Sequence, residues 1–230
     1  MDSLLDNPVF NALTSRDAHR GHGTDEVKYF EREISPFAGF KEGYLNGFSD
    51  LYNMLPAGRE ILYAGRMPVD MPAGWKPLRH IEGTQFLFTP KELLSRKSTA
   101  VELVPLEAKH ADEMVALAAL TRPGPFDKRT IEFGHYFGVF EDGRLAAMTG
   151  QRLHVHNYTE VSAVCTHPDF LGKGYASLLL DNAVDIILKA GQTPFLHVKA
   201  DNERAIFLFV FYCYEMSERT NYFSFCTLLL

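Results

Sequence analysis

From residue 136 onward the apolar positions fall into short alternating or β-branched blocks separated by turn residues. Residues 136–141 and 144–153 flank Asp142-Gly143, and two strand patterns around a two-residue Asp-Gly pair predict a β-hairpin. Asn157-Tyr158 turns the chain into Val161–Thr166, a β-branched run that predicts a buried or half-buried strand. His167-Pro168-Asp169 ends that strand, because proline has no N–H for the ladder. A long apolar helix is predicted over 174–190, closed by Gly191 as a C-cap. Residues 195–199 then read as a strand, 202–213 as a helix and 222–230 as a final strand.

Upstream, Val101, Leu103 and Pro105 begin a strand, 108–120 reads as a helix, and Thr121 to Phe126 is a loop defined by its prolines and glycine. Nearer the start, Asn7-Pro8 predicts a helix cap with Val9, Phe10 and Leu13 on one face. A second helix is expected over 43–55, where Tyr44, Leu45, Phe48, Leu51, Tyr52 and Leu55 recur at three- and four-residue steps. Residues 60–64 and 84–88 are short strands, and the segment 67–77 around Trp75 reads as surface. The polar stretch 89–99 suggests two regions, 1–95 and 99–230; within 89–99, TPKELL equally suits a short helix. The order in the second is β-α-loop-β-β-β-α-β-α-β, an α/β chain.

Hydrophobic residues make up 46% of the 230, enough for a sizeable core. The net charge of −6 gives no general attraction to nucleic acid, so no nucleic-acid partner is expected. No basic leader precedes an apolar run and no stretch reaches a membrane-spanning length, which points to a cytoplasmic protein with no membrane partner. Cys165, Cys213 and Cys226 lack close spacing and suit reduced thiols. Homodimerisation is compatible with all of this.

The chemistry concentrates between Glu160 and Leu180, where strand, two-glycine loop and helix start follow one another. Glycines let a backbone approach a ligand closely, and the unpaired N–H groups of a first helical turn attract an anion. The segment Leu171-Gly172-Lys173-Gly174-Tyr175-Ala176 resembles the pyrophosphate loop of the GNAT (GCN5-related) N-acetyltransferases, Gln/Arg-x-x-Gly-x-Gly/Ala. Gly174 and Ala176 match it, and Leu171 stands where Gln or Arg is usual. The flanks, CTHPDF and the strand-Asn-helix segment through Asn202, resemble the FR47-like branch.

The resemblance covers residues 99–230 and implies the GNAT fold there, a mixed sheet with a splayed strand pair, with residues 1–95 as an α/β region that a family analogy makes a degenerate copy. It implies acetyl-CoA as cosubstrate, no metal, and an amine-bearing small molecule or peptide as acceptor. Gly172, Lys173, Gly174, Tyr175, Ala176 and Ser177 would then hold the diphosphate. The backbone of Val164, Cys165 and Thr166 would pair with the pantetheine arm, and Asn202 would hydrogen-bond it. Glu160, where family members often carry glutamate, would be the general base, against the alternative of a solvated charge at a strand start. The family tyrosine that protonates the leaving thiolate falls on Phe209, so Tyr212 or Tyr214 would substitute, or solvent would. Cys165 reads as packing rather than nucleophile. His154, His156, His167 and His197 are alternative bases; His154 and His156 are expected to share one strand face, and with Cys165 and His167 they suggest a metal site, but their spacing matches no usual zinc pattern. The activity implied is transfer of acetyl to a primary amine by direct attack; the alternative is an acyl-CoA-binding sensor with little or no catalysis.

Overall fold

The computed structural model describes residues 3–66, 73–89, 101–211 and 214–227. The first helix, α1 (Pro8–Leu13), starts on Pro8 as expected. The Asn7 side chain does not cap it, however, and donates instead to the Phe40 carbonyl at 2.8 Å. A small antiparallel sheet follows, made of β1 (Gly21–Gly23), β2 (Val27–Phe30) and β3 (Ala38–Phe40). Helix α2 (Gly47–Met54) is shorter than its periodicity suggested, and β4 (Glu60–Gly65) lies where predicted.

The next strand, β5 (Trp75–Phe88), is much longer than the expected 84–88. Pairing with a distant strand along its whole length draws residues 75–83 into the sheet. Trp75, expected on the surface, is buried and donates its indole N–H to the Phe48 carbonyl at 3.0 Å. Pro77 is accommodated beside a register shift, one of the few places a sheet tolerates proline. The stretch expected to divide the chain, 89–99, falls almost wholly outside the described residues.

In the second half come β6 (Val104–Pro105), α3 (Ala111–Thr121), β7 (Phe137–Glu141), β8 (Arg144–Val155), β9 (Tyr158–Thr166), α4 (Tyr175–Lys189), β10 (Thr193–Lys199), α5 (Glu203–Phe211) and β11 (Tyr214–Thr227). The Asp-Gly hairpin between β7 and β8 is present, with Asp142 and Gly143 both at positive φ, the signature of a turn matched to strand twist. β11 begins eight residues before the expected start at 222, again because it pairs along β5.

One mixed sheet of eight strands runs β4-β11-β5-β10-β9-β8-β7-β6. Its neighbours are antiparallel except β9 and β10, which are parallel. Helix α3 covers one face through Met114, Leu117 and Ala118, in the same core as α1. Helix α4 covers the other through Leu180, Ala183, Val184 and Ile187, joined by α5. The α/β class is as the pattern predicted, and the mixed sheet is as the resemblance implied.

Candidate functional site

The parallel strands β9 and β10 pair only from Tyr158↔Thr193 to Glu160↔Phe195 and then part. A β-bulge marks the place. Ala163 has φ +54, and the β8–β9 register slips between Met148 and Gly150. The bulge reverses the facing of side chains: Val161 packs with α4, whereas Ala163, two residues on, packs with α3. Past it, Val164, Cys165 and Thr166 have no β10 partner, which leaves one strand edge open. Between the two strands lies a cleft of about 660 Å³.

The loop after β9 closes one end of this cleft. Gly172 and Gly174 both adopt φ +80, and a Cβ added at either would meet nothing within 4 Å, so the concave side is open. Among the described residues, no backbone N–H from Gly172 through Ser177 has a protein acceptor; the first helical bond belongs to Leu178, donating to Gly174 at 3.1 Å. Six consecutive orphan donors at the positive end of a 15-residue helix make a site for an anion. Leu171, Gly172, Gly174, Tyr175, Ala176 and Ser177 all line the cleft. Lys173 is not among the lining residues and pairs instead with Glu141, which also accepts from the Tyr175 hydroxyl at 2.5 Å.

Glu160 is fully buried in the third position of β9, not solvated at a strand start. Its carboxylate accepts from Arg152 Nε and Nη2 at 2.8 and 2.6 Å and from His197 Nδ1 at 2.7 Å. Burial alone would raise its pKa. The Arg152 charge and these hydrogen bonds outweigh burial and hold the group well below the usual carboxylate range. The His197 tautomer follows from its partners. Nδ1 must donate to the carboxylate, and Nε2 stands 3.0 Å from the Gln85 amide nitrogen, which also donates to the Leu5 carbonyl.

Cys165 is buried in the α3-side core as expected, and burial pushes its thiol up to about 11. At pH 8 it should therefore react with a maleimide about 100-fold or more slower than in the unfolded chain. Mass mapping of the peptide that contains Cys165 checks this; equal rates would contradict the burial. Asn202 lines the cleft and caps α5, accepting from Ala205 N at 3.1 Å. Phe209 also lines it, packed edge-tilted against Phe86. Tyr212 lies outside the described residues.

The FR47-like protein family model matches residues 136–223, which span the hairpin, the bulged strand, the loop and the start of β11. A solved structure described as a GNAT-family acetyltransferase from Novosphingobium aromaticivorans superposes with a TM-score of 0.90 at 29% identity, over 99% of this chain and all of that one. Residues 136–223 match the FR47-like family, and the chain over nearly its whole length has the fold of that GNAT acetyltransferase. A GCN5-related N-acetyltransferase from Kribbella flavida shares the fold at 13% identity, with a TM-score of 0.65 over 96% of this chain and 95% of that one. No curated protein matches the sequence.

In this GNAT-fold chain, sequence reasoning missed Arg152, His197 as the partner of Glu160, and the bulge at Ala163. Nothing local marks an alanine for positive φ. Arg152 meets Glu160 where the β8–β9 register shifts between Gln151 and His154, so a regular hairpin register read from the sequence would not have paired them. The histidines expected to share a face are separated. His154 is buried against Asp17 at 2.8 Å, while His156 sits in the turn at φ +48. Among the described residues, no helix is long and apolar enough to cross a membrane.

Proposed function

We propose that this protein is an acyl-CoA-dependent N-acyltransferase that moves an acyl group, most simply acetyl, to a primary amine. The observation that supports it best is the row of six unpaired N–H groups at the head of a cleft walled by two open strand edges. That arrangement suits a ligand with a diphosphate at one end and an amide-bearing extended arm behind it. The residues present fit such a group, because both glycines leave the loop's concave face clear. Gly172 through Ser177 would hold the diphosphate by backbone alone, with Leu171 beside them. Val164, Cys165 and Thr166 would pair with the arm, and Asn202 would close over it.

Acetyl-CoA, when bound, supplies an activated thioester whose acyl carbon passes to the amine nitrogen as the thiol departs. The chain's contribution is mainly positional: the cleft holds the two reactants together. Glu160 orients Arg152 and His197 at the cleft. It would accept a proton only after giving up one of the bonds it now makes.

A second reading, an acyl-CoA sensor with weak catalysis, is favoured by this saturated carboxylate and by Phe209, which has no proton to give. Release of free CoA from acetyl-CoA across a panel of amines separates the two. Turnover supports the enzyme; tight binding without release on any amine supports the sensor. Absence of thermal stabilisation by CoA and acetyl-CoA would refute both.

A further inference from the structure

The charged side chains that line the cleft are all basic: Arg122, Arg152, Lys199 and Arg204, with His197 beside them. No aspartate or glutamate lines it among the described residues, although the chain carries 29 acidic against 23 Lys and Arg residues. An amine acceptor arriving as an ammonium ion would meet no carboxylate. Its recognition has to come from another part of the molecule.

The basic groups divide between the two faces of the sheet. Lys199 and Arg204 stand where β10 passes into α5, and the core of α5 packs with α4 on the side of the anion-binding loop. Arg122 and Arg152 belong to the opposite face. Arg122 caps α3, and the Arg152 guanidinium lies 4.9 Å over the ring of Phe37, a residue of the α3-side core. Arg152 is neutralised by Glu160, which engages Nε and Nη2 and leaves Nη1 with no protein acceptor among the described residues. Arg122 has no acidic partner at all among them. The chain reaches Arg122 in a left-handed conformation, φ +53 and ψ +52, at a helix end where glycine is the usual residue. The loop then passes directly over Arg152, since a Cβ at Gly124 would lie 3.5 Å from Nη1.

We infer that the acyl acceptor is a small amine that also carries an anionic oxygen group, which Arg122 binds with help from Arg152 Nη1 on the face of the cleft away from the diphosphate loop. This rests on the acyl-transfer reading above.

The test compares kcat/KM for CoA release with glycine, phosphoethanolamine and ethanolamine, which share a primary amine and differ in bearing a carboxylate, a phosphate or a neutral hydroxyl. One of the two anionic amines should exceed ethanolamine by about 10- to 100-fold, the range of a charge-assisted contact, and which one does so identifies the anion. Arg122→Gln should bring that ratio close to one, and Arg122→Lys should keep part of it. Equal turnover of all three amines by the wild-type protein would overturn this inference and leave acyl transfer standing. Release with none of them, from protein that binds acetyl-CoA, would overturn both.

Discussion

Glu160→Gln is expected to destabilise the protein by about 3–5 kcal/mol, because it leaves the buried Arg152 guanidinium without its counter-charge. In a chain of this size that corresponds to a fall in melting temperature of about 6–20 °C. Glutamine also has a single oxygen to meet donors that now converge from Arg152, His197 and the Leu153 amide. Removing both charges at once, Arg152→Met with Glu160→Leu, should recover a large part of the loss. The pH dependence has a defined sign. The folded carboxyl titrates below its ordinary value of 4.5, so the stability it contributes is complete above about pH 4.5 and drains away as pH falls toward the folded value. Wild-type protein should therefore lose stability in acid, and the glutamine variant should lack that component. A Glu160→Gln melting curve that overlays the wild type at neutral pH would show that the ion pair does not hold the two strands. The result also bears on enzymology: low activity in this variant follows from lost packing as readily as from a lost base.

Gly174→Val should lower acetyl-CoA affinity by about 100-fold or more in a calorimetric titration while the protein still folds. Valine at φ +80 is strained by about 1–2 kcal/mol, but its side chain would meet no neighbour, so global unfolding is not expected. The backbone would either flip out of the left-handed conformation, turning N–H groups away from their common focus, or place methyl groups inside the concavity. Gly191→Val is the matched control. It has φ +71 and equally open surroundings, at the other end of α4. It should suffer the same strain and bind acetyl-CoA like wild type. Equal affinity of the Gly174 variant and its control would sink the assignment of the loop.

Much of the second half was legible because its signals are local. Asp142-Gly143 demands a hairpin by turn geometry, Gly191 ends a helix by its φ, and Pro168 ends a strand by its missing N–H. What was not legible depends on residues far apart in sequence. The first nine residues of β5 carry no strand alternation that outweighs Pro77, and only pairing with β11 makes them extended. The state of Glu160 likewise depends on partners 8 and 37 positions away. Lys173 looked like a phosphate ligand within the loop, but the β7 carboxylate of Glu141 claims it.

The order β4-β11-β5 sets a problem for folding in the cell. β4 and β5 are close in sequence and both emerge from the ribosome more than a hundred residues before the strand that must lie between them. Until then each presents unpaired edges, and the nearest available partner for either is the other. A direct β4–β5 pairing would be a kinetic trap that β11 has to prise apart, so slow, chaperone-dependent maturation is the expected cost of this topology.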